Sequence, residues 1–248
     1  MTQIGIFGIT GRMGRLLSEE TTAAGATLAG GTSRSNPATT PDTLAAAADA
    51  LIDFTNAEAA ITHAEAAARA GKPFVLGTSG LNAAQEAAIA ELAKRIPIVY
   101  AANFAPGVNL ILAIAERLAA ALPGETYDAE IVETHHRQKV DAPSGTAIAL
   151  GRAVAAGRNT TLEQAGIESG RDGHTGPRKT GAIGFAALRA GQVVGEHTLL
   201  FASGSEHIAL THRSFDRRVY ATGAVRAALW ATSQPPGLYG MKHVLGMA

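Results

Sequence analysis

The chain has 248 residues, enough to bury either one large core or two modest ones. Its 21 Lys and Arg balance 21 Asp and Glu, so no global field draws it to nucleic acid or an anionic membrane, and positive charge must act locally. It contains no cysteine, which excludes disulfides, thiolate zinc sites and a cysteine nucleophile together. No basic leader precedes the first apolar strand and no window approaches about 18 uninterrupted apolar residues, so a soluble cytoplasmic protein is expected.

Residues 3–8 (Gln-Ile-Gly-Ile-Phe-Gly) read as a buried strand, and residues 12–24 as a helix that follows a glycine turn. A short apolar run covers 27–31. Residues 51–54, 73–77 and 96–100 read as further strands, separated by Ala-rich helical stretches at 57–70 and 82–95, and the alanines at 45–50 likewise reflect helix composition. Strands alternating with helical crossovers imply a parallel sheet covered on both faces, an α/β, Rossmann-like, doubly wound domain. The pattern changes after residue 105. Residues 127–134, 181–189, 192–201 and 206–214 read as longer strands, the last three joined by turns at Ala190-Gly191 and Ser203-Gly204. Hairpin-linked strands of this kind predict a second, α+β domain with a mixed or antiparallel sheet. Residues 157–180 read as an irregular loop, and 219–232 as a helix that could return to the first domain. The expected division is therefore 1–105 with 216–248, and 106–215.

Gly8-Ile9-Thr10-Gly11-Arg12-Met13-Gly14 follows the first strand and opens the first helix, where a dinucleotide pyrophosphate meets backbone N–H groups and the helix dipole. The glycines are spaced GxxGxxG, a variant of the usual GxGxxG, so an ordinary tight turn is the alternative. An NAD-selective fold would end its second strand in an acidic residue about 20 residues on. Here Thr32-Ser33-Arg34 stands instead. Arg34 can pair with a 2′-phosphate, which favours NADPH, with NADH possible; the alternative is a solvated surface arginine. Asp53-Phe54-Thr55, Gly77-Thr78-Ser79 and Ala102-Asn103-Phe104 all fall at strand C-terminal ends, where open α/β sheets bind ligands.

The densest chemistry lies in Glu130-Ile-Val-Glu133-Thr-His135-His136-Arg137-Gln138-Lys139-Val-Asp141-Ala142-Pro143-Ser144-Gly145-Thr146-Ala147. Two histidines can exchange a proton near neutral pH, Lys139 and Arg137 offer charge to carboxylates, and Pro143-Ser144-Gly145-Thr146 reads as a helix start whose N–H groups face an anion. That suits an acidic small molecule; basic residues on an exposed loop are the alternative. No metal is expected, because consecutive strand residues point to opposite faces and nothing nearby completes a ligand set. On a continuous strand His135 and Lys139 would stand about 13 Å apart, so the chain must bend after residue 136 if they cooperate. His63, His174, His197, His207, His212 and His243 lack such company and read as structural or surface residues.

Residues 130–147 resemble the signature E-x-x-E-x-H-H-x-x-K-x-D-A-P-S-G-T-A of the 4-hydroxy-tetrahydrodipicolinate (dihydrodipicolinate) reductases, enzymes of the diaminopimelate route to lysine. The likeness runs along nearly the whole chain: Gly8 to Gly14, Ile52 to Thr55, Gly77 to Ser79, Ala102 to Phe104, Gly181 to Phe185, Gly195 to Thr198 and Gly223 to Arg226 fall in family order. The resemblance implies a dinucleotide-binding domain completed by the C-terminal helix, a substrate domain whose sheet builds a homotetramer, and hinge closure. It implies an oxidoreductase that reduces 4-hydroxy-tetrahydrodipicolinate to tetrahydrodipicolinate. It makes His135 the catalytic proton donor or acceptor, Lys139 a second donor that meets a substrate carboxylate, and His136, Ser144, Gly145 and Thr146 substrate contacts. Gly8, Ile9, Thr10, Gly11, Arg12, Met13, Arg34, Phe54, Gly77, Thr78, Ser79, Ala102, Asn103, Phe104 and Ala105 become the cofactor positions. Where the family commonly has an acidic residue before the arginine, Ser33 stands here; Ala105-Pro106 and Asn56-Ala57 are further departures.

Overall fold

Short apolar runs bounded by glycine, proline or capping residues become the strands of two separate sheets in the computed structural model, which describes residues 1–35 and 38–247. Residues 36, 37 and 248, inside the range expected for the first domain, lie outside the described residues. The N-terminal run is β1 (Gln3–Phe7), α1 (Arg12–Ala23), β2 (Thr27–Thr32), α2 (Pro41–Ala47), β3 (Ala50–Asp53), α3 (Ala57–Ala70), β4 (Phe74–Leu76), α4 (Ala83–Leu92) and β5 (Pro97–Tyr100). Its strands pair in parallel, with Ile6 opposite both Gly31 and Ile52. Ile4, Ile6, Leu51, Ile52, Val75 and Val99 are fully buried. That double-sided burial is why their runs are apolar without alternation. Asn56 and Asn82 cap α3 and α4 through side-chain acceptance from Ala59 and Gln85 N–H, and Gly71, at φ +64°, ends α3 in the left-handed conformation glycine favours.

The chain continues through α5 (Pro106–Ala121), β6 (Asp128–His135), α6 (Gly145–Gly157), α7 (Leu162–Ala165), β7 (Ile167–Ser169), β8 (Ile183–Arg189), β9 (Gly195–Ala202) and β10 (His207–Ser214). The second sheet has the order β10-β9-β6-β8-β7. β9 is antiparallel to both β10 and β6, while β8 is parallel to β6 and β7, so the sheet is mixed as expected. Two details of the sequence reading are corrected. Residues 157–180 are not irregular throughout, since they include α7 and the edge strand β7. The Ala190-Gly191 turn is not a hairpin: β6 lies between β8 and β9. The turn instead wraps the end of β6, with Ala190 N–H donating to His135 O (2.8 Å) and Arg137 N–H to Gly191 O (3.2 Å).

The remaining elements are α8 (Arg218–Ala231), β11 (Gly237–Tyr239) and α9 (Met241–Val244). β11 adds to β5 and completes a six-stranded parallel sheet of order β11-β5-β4-β3-β1-β2. The chain divides into two compact units, Met1–Pro106 with Arg218–Ala248, and Gly107–Arg217. In the first, α1 and α8 cover one sheet face around Ile4, Ile6, Val75 and Val99, and α2, α3 and α4 cover the other around Phe7, Leu51, Phe74 and Ile98. In the second, α5 and α6 cover a face of the mixed sheet with Ile111, Leu150, Val154, Ile131, Phe185, Leu199 and Phe201. No helix among the described residues is long and apolar enough to cross a membrane.

Gly223 of α8 shows how closely the returning helix is seated, because a methyl group built there would land on the carbonyl oxygen of Phe104. Gly223→Ala should therefore destabilise the protein by about 2 kcal/mol or more through overpacking against backbone, read as a lowered thermal midpoint. An unchanged midpoint would show that the helix can slide away at no cost.

Candidate active site

β6 is amphipathic in the strand sense: Ala129, Ile131, Glu133 and His135 are buried, while the residues between them are not. This alternation puts Glu133 and His135 side by side on the covered face. Glu133 is 1% exposed, and its carboxylate meets four donors. Oε2 accepts from His135 Nδ1 and Arg189 Nη1 (3.0 Å), and Oε1 from Arg189 Nη2 (3.0 Å) and Ser144 N–H (3.2 Å). Burial alone would push the carboxyl up, but the hydrogen bonds from Arg189 and His135 outweigh it and hold Glu133 below the ordinary carboxylate range. An ionised Glu133 makes Nδ1 the donating nitrogen of His135 and leaves Nε2 for exchange with a ligand. Any side chain at position 195 would crowd that nitrogen, since a Cβ built on Gly195 would stand 3.0 Å from His135 Nε2.

The chain bends after β6 as predicted. Lys139 N–H donates to His136 O (3.1 Å), and Arg189 gathers the loop by donating to Lys139 O (3.3 Å) and Asp141 O (2.5 Å). The Lys139 ammonium lies on the Asp141 carboxylate at 2.8 and 2.9 Å, which holds Asp141 below its ordinary range. Asp141 is more than half exposed, so this pair is weak. His136 follows the strand, half-buried. Ser144 is the N-cap of α6, its Oγ accepting from Ala147 N–H (3.3 Å), and exposed Gly145 opens the helix with empty space where a side chain would stand. Glu133 thus connects the His135 imidazole, the basic loop and the helix start.

Sequence reasoning missed three residues here. Arg189 ends β8 and looks from sequence like a solvated strand terminus. Glu133 stands in the 130–147 signature without an assigned role. His197, expected to be structural or on the surface, is 4% exposed on β9 directly opposite Glu133. Its ring meets that of His135 edge-on (centroids 5.0 Å, 73°), and its Nε2 pairs with Ser144 Oγ at 3.0 Å. Burial, assisted by the neighbouring His135 charge, pulls its pKa down to about 4, so it is neutral at physiological pH. His212 continues the row on β10 opposite His197, with its pKa likewise lowered by burial. The inward alternation of Gly195, His197, Leu199 and Phe201 was the available signal.

In the first unit, Gly8 (φ +73°) turns the chain out of β1, and Gly11 caps α1. Gly14 sits where a methyl group would strike the Gly8 carbonyl and Ile9 backbone, so the spacing is a packing requirement. Gly8, Thr10, Gly11, Thr32, Ser33, Arg34, Phe54 and His63 line a cavity of about 610 Å³. Phe54 also borders a second of about 270 Å³, with Met13, Ala102, Asn103, Phe104 and Tyr220. A glycine turn, a helix start and an exposed arginine around an open cavity fit a dinucleotide. Ile9, Arg12, Gly77, Thr78, Ser79 and Ala105 line neither cavity. Ile9 packs on the core, Gly77 is covered by the Phe54 ring, Thr78 and Ala105 are buried, and Arg12 and Ser79 are exposed. Tyr220 and His63 are additions, and His63 is no mere surface residue.

Models of the dihydrodipicolinate reductase N-terminus and C-terminus match residues 2–104 and 107–245. A 4-hydroxy-tetrahydrodipicolinate reductase of Granulibacter bethesdensis is 64% identical, over 99% of this chain and 97% of that one. That of Gluconacetobacter diazotrophicus is 60% identical with the same coverage. Among solved structures, a dipicolinate-bound dihydrodipicolinate reductase from Paenisporosarcina sp. TG-14 superposes with a TM-score of 0.79 at 22% identity, covering 99% of this chain and 100% of that one, a likeness of fold.

Glu133 generates a prediction about acid stability. A carboxyl whose pKa is lowered by folding contributes stability that is present above its unfolded value and lost as pH falls through the folded one. Glu133→Gln should therefore be less stable than wild type at neutral pH, and the gap in thermal midpoint should narrow below about pH 4. A gap that stays constant with pH would mean that the charge on Glu133 contributes nothing.

Proposed function

The chain belongs to the dihydrodipicolinate reductase family, and from that premise we propose how its residues divide the reaction. The enzyme reduces 4-hydroxy-tetrahydrodipicolinate to tetrahydrodipicolinate, with loss of water, in the diaminopimelate route to lysine. A nicotinamide dinucleotide supplies the hydride when bound. Gly8 to Met13 form the phosphate turn, and Phe54 and Ala102 to Phe104 border the nicotinamide end. Thr78 supports the end of β3 through its hydroxyl on Asp53, and Gly77, Ser79 and Ala105 are further cofactor positions that the family resemblance implies. Arg34, with no acidic residue at position 33, favours NADPH over NADH.

The observation that carries the catalytic assignment is the Glu133–His135 pair. Glu133 fixes the imidazole tautomer, so His135 exchanges a proton through Nε2, the general acid–base role that accompanies hydride addition. One substrate carboxylate takes the place of Asp141 on Lys139, an exchange made easy by the exposure of that pair. The other meets the N-terminus of α6 at Ser144, Gly145 and Thr146, where the helix dipole favours an anion. His136 borders the same ligand. His197 is a positioning residue: being neutral, it holds the Ser144 hydroxyl and adds no second positive charge beside His135. Positioning of this kind supplies much of the rate enhancement.

The uncovered face of the second sheet exposes Val132 (40%) and Leu188 (54%), which supports assembly through that face into a homotetramer. The reading places the enzyme in the cytoplasm, without nucleic acid or membrane partners. Light scattering on the intact protein should return four times the 25.3 kDa chain mass; a monomer would refute the assembly.

Steady-state kinetics test the division of roles. His135→Gln should lower kcat by roughly 10²–10⁴-fold with little change in KM for the dicarboxylate. Lys139→Ala should raise KM as well as lower kcat, because ground-state binding is lost too. Both variants should titrate NADPH normally. Near wild-type kcat/KM in either would remove that residue from the chemistry.

A further inference from the structure

A second acid–histidine pair lies in the first unit. Asp53, at the end of β3, is 0% exposed. Its Oδ1 accepts from Thr55 N–H and Thr55 Oγ–H, both at 2.7 Å, and from Thr78 Oγ–H at 3.4 Å; Oδ2 accepts from His63 Nδ1 at 2.7 Å. The His63 ring lies flat on Phe7, with centroids 4.0 Å apart and planes 5° from parallel. Its orientation is thus set by a hydrogen bond at one edge and a stack on one face. The nitrogen left over is Nε2, which has no hydrogen-bond partner among the described residues, and the ring lines the same cavity as Ser33 and Arg34.

The charge of that cavity is one-sided. Among its lining residues Arg34 carries positive charge, His63 can carry it, and none is acidic. Asp53 from β3 faces the His63 ring, but its carboxylate is spent on internal donors and buried. A wall that offers an arginine, a basic imidazole and no carboxylate suits a doubly charged anion better than a neutral ribose hydroxyl.

We propose that His63, aligned by Asp53, is a second recognition residue for the ribose 2′-phosphate of NADPH, acting together with Arg34. The inference rests on the reading of this cavity as the adenosine end of the dinucleotide site. As an imidazolium, His63 donates through both nitrogens, to Asp53 at Nδ1 and to a phosphate oxygen at Nε2. A ligand with a free 2′-hydroxyl gives no phosphate oxygen to receive the second bond, so His63 bears on selectivity more than on dinucleotide binding in general.

The test is calorimetric titration of NADPH and NADH into the full chain, wild type, His63→Asn and Arg34→Ala. Asparagine can present an N–H to Asp53 from the position of Nδ1 but has nothing at the position of Nε2. His63→Asn should weaken NADPH roughly 10-fold, the scale of one charge-assisted hydrogen bond, and NADH less than about 2-fold. Equal losses for both dinucleotides, or none, would overturn the proposal. Because the variant could unfold, the side-chain ¹⁵N resonances of His63 should also be followed in wild type. NADPH should move them to the imidazolium pattern and NADH should not; an identical response to both refutes the role. Arg34→Ala separates the two levels of the argument. If it selectively weakens NADPH while His63→Asn does not, His63 alone is excluded; if it leaves NADPH unaffected, the cavity reading falls and the inference with it.

Discussion

The second unit is organised around one buried carboxylate. Taking a charged Glu133 out of water costs several kcal/mol in real proteins, and that cost is tolerable only when the charge is paired and its lone pairs are used. Arg189 supplies the charge in the bidentate geometry that suits a carboxylate, and His135 and Ser144 N–H supply the remaining donors. Each partner is thereby pinned. His135 acquires a defined tautomer, the start of α6 is tied to β6, and Arg189, with donors to spare, gathers the carbonyls of Lys139 and Asp141. The loop that carries Lys139 is held in place by satisfying a buried ion.

Strand order makes this possible. β6 lies between β8 and β9, so Glu133 has Arg189 within reach on one side and His197 opposite on the other. Neither neighbour is close in sequence: 56 positions separate Arg189 from Glu133, and 53 separate His197 from Ser144. The Ala190-Gly191 turn that leads from β8 toward β9 must pass the end of β6, and its hydrogen bonds fall on His135 and Arg137. A mixed sheet is therefore part of how the site is built, since a simple meander of β8 onto β9 would separate Arg189 from the histidines.

These facts mark what could be read from residues alone. The parallel domain was legible because β1, β3, β4 and β5 are buried on both faces and α3 and α4 open on asparagine caps. The bend that carries Lys139 was legible from Asp141-Ala142-Pro143, and the helix start from Ser144-Gly145. α5 went unread because Pro106, a favourable first residue of a helix, also looks like a loop marker. β11 has three residues and no periodicity of its own. His197, Arg189 and His63 were missed for a shared reason: a polar residue on a strand or helix looks the same in sequence whether it meets water or a buried acid. The resemblance supplied the roles of His135 and Lys139, but the carboxylate that orients them came from the three-dimensional pairing.

The two units solve a related problem with a different balance of charge. Asp53 and Glu133 are both buried carboxylates at or near the C-terminal end of a strand, and each accepts from a backbone N–H and from the Nδ1 of a histidine. In both, fixing Nδ1 as donor leaves Nε2 as the working nitrogen. Glu133 also carries Arg189, so its charge is compensated whether or not His135 is protonated, and His135 can lose and regain a proton without leaving an unpaired ion behind. Among the described residues Asp53 has hydroxyl and amide donors but no arginine, so His63 is the one partner that can bring it a positive charge. An arginine beside the acid suits a histidine that must change state during turnover. Its absence suits one whose charge answers to an anionic ligand, and on the proposed reading the difference between a catalytic and a recognition histidine lies in what else the carboxylate touches.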